Sequence, residues 1–101
     1  MDYSITWSQL ALGDLNDLVT FIAQDNVTAA RKLGNRIINK VGAISSFPEI
    51  GRVVPEFKCE TIREILTKPY RIVYELDHET HTLAVLRIWH NSRMPLVGWD
   101  I

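Results

Sequence analysis

The segment from Thr61 to Arg93 constrains the fold most, because it reads as three antiparallel strands joined by two hairpins. Its middle run, Tyr70 to Leu76, is rich in β-branched and aromatic residues and begins directly after Pro69. A similar run extends from Thr82 to Trp89, and a polar turn separates the two runs. We therefore predict an antiparallel sheet that the rest of the chain has to cover.

Alternation along these strands predicts which side chains share a face of the sheet. A tight turn centred on residues 79–80 gives the pairs Leu76 with Leu83, Tyr74 with Val85, and Ile72 with Arg87. The first face then carries Ile72, Tyr74, Leu76, Leu83, Val85, Arg87 and Trp89. The second face carries Arg71, Val73, Glu75, Ala84, Leu86, Ile88 and His90. If the first hairpin turns at residues 67–69, Leu66 pairs with Tyr70, and Arg63 joins the second face. A shift of one residue in either hairpin would exchange the faces.

Composition bounds the fold class and the compartment. With 101 residues, 47% of them hydrophobic, the chain is predicted to form one domain, residues 1–101, with a small core. It has no apolar run of membrane-spanning length and no N-terminal signal pattern, so we expect no membrane partner. Cys59 is the single cysteine, and no Cys/His spacing suggests a zinc site. We expect a cytoplasmic protein without a metal or other cofactor.

Two helices are predicted before the sheet. Residues 2–7 alternate as a short strand, and Ser8 then provides an N-cap for a helix with apolar spacing through residue 22. A second helix runs from about Val27 to Ser45, and the short connection predicts an antiparallel helix hairpin. Its basic side, which we interpret as a solvated face, carries Arg31, Lys32, Arg36 and Lys40. Residues 53–60 are predicted to be an irregular connector.

The predicted architecture is α+β, with the order β-α-α-β-β-β and the helix hairpin packed on one face of a small, largely antiparallel sheet. Because both helices are used there, the second face is left for a partner, a substrate or the C-terminal tail, residues 94–101. The residues expected on this open face are Val73, Leu86 and Ile88, together with Arg63, Arg71 and His90.

Four sequence motifs carry a family resemblance. They are FPEIGR after the second helix, IREI, then KPYRIVYEL, and the closing LRIWHNSR. With the order of elements, these motifs resemble the ParE/RelE superfamily of bacterial type II toxin–antitoxin toxins over nearly the whole chain. The resemblance implies growth arrest by one of two routes. ParE-like toxins inhibit DNA gyrase, and RelE-like toxins cleave mRNA in the ribosomal A site. Both are neutralised by a small antitoxin encoded beside them.

The sequence also weighs the two branches. Metal-independent RNA cleavage needs groups that move protons and stabilise the phosphorane, and the candidates are Arg63, Arg71, His90 and Arg93. The C-terminal tail offers no Tyr for this chemistry, only Trp99, and the formal net charge is −1. Proteins that bind nucleic acid non-specifically are usually strongly basic. We therefore favour a ParE-like gyrase inhibitor that is not an enzyme. The alternatives are an endoribonuclease acting on the ribosome and mRNA, and a degenerate toxin that keeps only antitoxin binding.

The same residues have structural interpretations that stay open at this point. Arg71 has Glu75 and Glu64 as possible ion-pair partners, and Arg63 has acidic neighbours that favour a surface ion pair. The predicted antitoxin-binding residues are Arg31, Arg36, Arg63, Val73, Leu86 and Ile88, with the arginines facing acidic antitoxin residues. DNA is expected to be contacted only indirectly, through the antitoxin.

Overall fold

A computed structural model describes residues 2–55 and 57–91. The elements follow the predicted order, with one additional short strand. They are β1 (Ser4–Trp7), α1 (Gln9–Ala23), α2 (Val27–Ser46), β2 (Arg52–Val53), β3 (Ile62–Thr67), β4 (Tyr70–Asp77) and β5 (Thr82–His90). The strand β2 lies at the start of the segment that was predicted to be irregular.

Side-chain caps set the start of both helices. The Ser8 hydroxyl accepts a hydrogen bond from the Ala11 amide at 3.0 Å, as predicted for the N-cap of α1. Asn26 caps α2 in the same way, through the Ala29 amide at 2.9 Å. The helices form the predicted hairpin, in which Gly34 of α2 lies close to a side chain of α1.

The five strands form one mixed sheet in the order β1-β5-β4-β3-β2. The N-terminal strand β1 runs parallel to β5, and the other neighbours are antiparallel. β2 pairs with β3 only through Arg52 and Val53, so the second half of β3 is not covered by it. The α+β architecture is therefore confirmed, and the sheet is wider than the three central strands indicate.

The predicted register of the second hairpin is confirmed near the turn, but it is wrong beyond the pair Tyr74 and Val85. Leu76 pairs with Leu83 and Tyr74 with Val85, as predicted. A β-bulge then leaves Leu86 without a paired residue on β4, so that Ile72 lies opposite Ile88 instead of Arg87. Because the bulge inserts one residue into β5, it moves Ile88 and His90 to the other face of the sheet.

The predicted register of the first hairpin is wrong by one residue. Leu66 pairs with Arg71, and not with Tyr70 as the sequence predicted. Arg63 consequently lies opposite Tyr74, which belongs to the core beneath the helices. Arg63 and Arg71 therefore lie on opposite faces of the sheet.

One apolar cluster joins the helices to the sheet. We call the face of the sheet that carries this cluster the helix side. Its buried members are Ala11, Leu33, Ile37, Val41, Ile44, Ile72, Tyr74, Leu76, Leu83, Val85 and Ile88. Ile88 had been predicted on the second face, here called the reverse side, and the bulge explains the difference.

The reverse side, which the sequence left for a partner, a substrate or the C-terminal tail, is buried at its centre. Val73 is fully buried there, although it does not belong to the helix-side cluster. Arg71, which was predicted on this face, and Glu64 are also buried.

Candidate functional site

An ion cluster on the reverse side is formed by Arg52, Glu64 and Arg71, of which Glu64 and Arg71 are buried and Arg52 is exposed. The side chains of Arg71 and Glu64 are each only 4% exposed, and they form an ion pair. The Arg71 Nε donates to the Glu64 carboxylate at 2.7 Å, and the Arg52 Nε donates to the other oxygen of the same carboxylate. This confirms one of the two structural partners proposed for Arg71. Because buried charges are stable only when they are paired, the main role of this arginine in the fold is electrostatic neutralisation of Glu64.

Arg63 is used to hold the connector between α2 and β3. Its guanidinium donates to the main-chain carbonyl oxygens of Glu49, Gly51 and Glu60 at 3.2, 3.0 and 3.0 Å. An ion pair to the Glu49 carboxylate is longer, at 3.8 Å. Arg63 therefore fixes the FPEIGR turn onto the sheet, and its Nε and Nη1 donors already have acceptors.

The hydroxyl of Tyr74 anchors the same turn from inside the core. It donates to the Pro48 carbonyl oxygen at 2.9 Å and accepts from the Gly51 amide at 3.0 Å. A Cβ on Gly51 would lie 2.4 Å from this hydroxyl and 2.6 Å from the carbonyl oxygen of Glu64, so no larger residue fits. Burial raises the pKa of the Tyr74 hydroxyl above its ordinary value of 10.0. The motifs FPEIGR and YRIVYEL are thus joined by one buried polar contact.

His90 lies on the helix side, in a groove between α1 and the ends of β4 and β5. Its ring packs edge-to-face on Tyr70, with 5.4 Å between ring centroids. The groove has a volume of about 430 Å³ and is lined by Asp14, Asp17, Leu18, Phe21, Tyr70, Ile88, Trp89 and His90. Phe21 is the most exposed of these apolar side chains, at 72%.

The residues proposed for RNA cleavage do not converge. Arg71 lies on the reverse side, whereas Arg63 and His90 lie on the helix side. There, Arg63 is opposite the middle of β4, at Tyr74, and His90 is opposite its first residue, Tyr70. Arg93 and the tail of residues 94–101 lie outside the described residues. The described part of the predicted nuclease set therefore forms no common site in this arrangement.

A carboxylate of α1 binds the end of β5, and sequence reasoning missed this contact. Asp14 accepts from the Arg87 guanidinium at 2.8 and 3.0 Å, and from the Ile88 amide at 2.9 Å. The Ser8 hydroxyl donates to the Leu86 carbonyl oxygen at 2.8 Å, at the bulge itself. These contacts join residues more than seventy positions apart, so no local pattern in the sequence signals them.

The helix hairpin provides the accessible part of the predicted antitoxin surface. Arg31 and Arg36 are exposed on α2, whereas Val73 and Ile88 are buried and Leu86 is half-buried. Three large apolar side chains of the hairpin, Leu12, Val27 and Ile38, are 51%, 60% and 52% exposed. Helical spacing places Val27, Arg31 and Ile38 on one stripe of α2, which adjoins the contact between Gly34 and Val19 of α1.

Within residues 2–55 and 57–91, no group of three His, Cys, Asp or Glu side chains could hold a metal ion. None of the helices described is long and apolar enough to cross a lipid bilayer.

A helix hairpin packed on a five-stranded mixed sheet defines the RelE/ParE-like class of small α+β toxins. A family model described as "ParE toxin of type II toxin-antitoxin system, parDE" matches residues 5–95. The protein therefore belongs to this family, and it is a toxin of the type II class. A comparison with curated protein sequences found no match.

Solved structures share the fold at low sequence identity. The chromosomal ParDE toxin–antitoxin system from P. aeruginosa superposes with a TM-score of 0.70 and 18% identity, covering 87% of this chain and 95% of that chain. The RelBE2 toxin–antitoxin complex from Mycobacterium tuberculosis superposes with a TM-score of 0.60 and 22% identity, covering 89% of this chain and 99% of that chain. A mutant E. coli toxin RelE in the free state superposes with a TM-score of 0.61 and 19% identity, covering 87% of this chain and 82% of that chain. Both branches of the superfamily therefore have this fold, and the fold alone does not separate them.

Proposed function

We propose that this toxin arrests growth by binding and inhibiting DNA gyrase, and that it does so without chemistry of its own. The observation that carries the proposal is the burial of Arg71 in an ion pair with Glu64. A nuclease arginine has to meet a phosphate, and this guanidinium is 4% exposed and already faces a carboxylate. Membership of the ParE family supports gyrase over the ribosome as the target. Because gyrase acts on chromosomal DNA, the proposal also implies a cytoplasmic location.

The remaining nuclease candidates support the same choice. Arg63 is engaged by three main-chain carbonyl oxygens, and releasing it would free the turn that holds Gly51. His90 is exposed, but it lies on the opposite face of the sheet from Arg71. General acid–base catalysis needs groups within hydrogen-bonding reach of one substrate. The described side chains do not provide such a set at one position.

The test is a supercoiling assay with purified toxin, gyrase and relaxed plasmid. We expect supercoiling to fall as toxin is added, while the same toxin preparation leaves mRNA intact in a translation extract. Unchanged supercoiling at saturating toxin contradicts the proposal. Cleaved mRNA that becomes intact with His90→Ala would assign the protein to the ribosome-dependent branch. Overexpression without growth arrest would instead indicate a degenerate toxin.

The second part of the proposal concerns the antitoxin, expected from a gene beside that of the toxin. We place its contact on the helix hairpin, where Leu12, Val27 and Ile38 provide exposed apolar area and Arg31 provides a charge beside it. Apolar anchors surrounded by charge are typical of the residues that dominate protein interfaces. Val73 and Ile88 are not part of this proposed surface because they are buried.

Two substitutions separate the apolar and electrostatic parts of this surface. Ile38→Ala should weaken antitoxin binding about tenfold, which corresponds to about 1.4 kcal/mol. Arg31→Glu should weaken it about fivefold, mainly through slower association at low salt. Lys58→Glu is the matched control, because Lys58 is exposed and lies on the connector before β3. Equal affinities for Ile38→Ala, Arg31→Glu and the control, by titration calorimetry, would exclude the hairpin as the binding surface.

A further inference from the structure

The near-neutral net charge conceals a strong local asymmetry between the two helices. α2 carries four of the eleven Lys and Arg residues of the chain and none of its twelve Asp and Glu residues. α1 carries two aspartates, Asp14 and Asp17, and no basic residue. The formal charge of −1 is therefore an average over a basic helix and an acidic remainder. The net charge of the chain therefore does not exclude a local nucleic-acid contact.

Three of the four basic residues of α2 form one polar face that points away from the core. α2 packs on the sheet through a buried stripe that includes Leu33, Ile37 and Val41. On the other side of the helix lies a shallow surface lined by Lys32, Asn35, Arg36, Asn39, Lys40 and Ala43, which we call the α2 polar face. Helical spacing aligns these positions along about three turns.

Among the described residues, carboxylates do not neutralise the charges of this face. Within residues 2–55 and 57–91, no salt bridge involves Lys32, Arg36 or Lys40. The Arg36 guanidinium donates to the Lys68 carbonyl oxygen at 2.7 Å, which fixes this arginine. The same contact brings the β3–β4 turn beside the face, and Lys68 in that turn is exposed. The positive potential of these four cations, Lys32, Arg36, Lys40 and Lys68, therefore extends into solvent.

We propose that the α2 polar face binds the phosphate backbone of duplex DNA. Lys and Arg charges together with Asn amide donors are the groups that proteins place on DNA phosphates. Lys32 and Lys40 are eight residues apart, which is about 12 Å along the helix axis. One DNA strand rises about 3.4 Å per nucleotide, so this face matches a run of about three to four nucleotides.

The composition of the face favours a nucleic acid over a protein partner. Among the described residues that line it, Ala43 alone is apolar. Protein interfaces are usually anchored by aromatic or large aliphatic side chains and are depleted in lysine. The apolar anchors of this molecule, such as Val27 and Ile38, lie on a different stripe of α2. The two stripes can therefore serve a protein and a DNA duplex separately. This differs from the sequence-based expectation that DNA is contacted only through the antitoxin.

The test measures binding of the full-length toxin to a fluorescent 24-base-pair duplex by anisotropy, with no gyrase present. With about three phosphates neutralised, affinity should fall about 40-fold between 50 and 200 mM salt, since the logarithmic slope is about −0.9 for each phosphate contact. Lys32→Gln should weaken binding and reduce that slope by about one, whatever the sequence of the duplex. Lys58→Gln is the control, and it should leave both the affinity and the slope unchanged.

A second variant tests the amide donors without removing a cation. Asn35→Asp with Asn39→Asp keeps the side-chain shapes and adds two negative charges to the face, so duplex binding should be lost at 50 mM salt. Absence of duplex binding by the unmodified toxin overturns the proposal, as does equal binding by Lys32→Gln and Lys58→Gln. A polyglutamate peptide of equal charge is the protein competitor. If it binds as tightly as the duplex and is weakened equally by Lys32→Gln, the face belongs to an acidic protein segment instead. Because gyrase is absent from the assay, either result is separate from the supercoiling test.

Discussion

Arginine and lysine residues serve opposite purposes on the two sides of this molecule. On the reverse side of the sheet, Arg71 is buried against Glu64, and its charge is cancelled inside the fold. On α2, Lys32 and Arg36 are exposed without an ion pair among the described residues, and their charge acts on the surroundings. The sequence presents all three as basic residues next to apolar ones. Burial and pairing therefore decide whether a basic side chain stabilises the fold or is free to bind a partner.

The sharpest test of this contrast is Glu64→Gln, which removes the carboxylate that balances buried Arg71. Breaking a buried pair from one side typically destabilises a protein by about 3–5 kcal/mol. We expect a loss of that size in the free energy of unfolding, measured by urea denaturation. Glu75→Gln, at an exposed position on the neighbouring strand β4, should change stability by less than about 0.5 kcal/mol. Similar effects of the two substitutions would contradict the structural role of the ion cluster.

The turn beside the ion cluster should be the next most sensitive position. Gly51→Ala places a methyl group 2.4 Å from the Tyr74 hydroxyl and 2.6 Å from a backbone oxygen. Overpacking of this kind destabilises by about 1–3 kcal/mol. Gly42→Ala on α2 is the matched control, because nothing lies within 4 Å of a Cβ at that position. It should raise stability by about 0.5–1 kcal/mol through helix propensity, so the two thermal midpoints should move in opposite directions.

Tyr74→Phe removes the hydroxyl that joins Pro48 to Gly51, and it should destabilise by about 1–2 kcal/mol. The same hydroxyl has a raised pKa in the fold, so its contribution is complete below the unfolded pKa of about 10. That contribution is lost as the pH rises from about 10 through the folded pKa. Urea denaturation between pH 8 and 11 should show a steeper alkaline loss for the unmodified toxin than for Tyr74→Phe. Parallel curves would show that another group controls alkaline unfolding.

The smallest effect on stability is expected on α2. Lys32→Gln removes an exposed charge with no ion pair among the described residues, so the free energy of unfolding should change by less than about 0.5 kcal/mol. Denaturation measured on the same sample as the duplex titration checks this. A large loss of stability would place Lys32 with Arg71 among the structural cations and remove the contrast between the two sides.

Sequence reasoning predicted the order of elements, the helix hairpin and the pairs next to the β4–β5 turn. Periodicity is a local signal, and together with the N-cap preference of Ser8 it places the start of α1 correctly. It did not predict which face carries Arg63, Ile88 and His90, because alternation has a period of two and one displaced residue reverses it. The bulge at Leu86 is accompanied by hydrogen bonds from Ser8 and Asp14, which are distant in sequence. Candidate sites built on shared faces therefore changed most when the structure was known.

The contact between Asp14 and the Ile88 amide has a consequence for how other chains can approach this sheet. β1 ends at Trp7, so the last residues of β5 would otherwise present a bare backbone edge. The Asp14 carboxylate already accepts the hydrogen bond of the Ile88 amide, so this amide is not available to pair with an incoming strand. Among the described residues, positions 65–67 of β3 pair with β4 but not with β2, so strand addition is favoured at that margin instead.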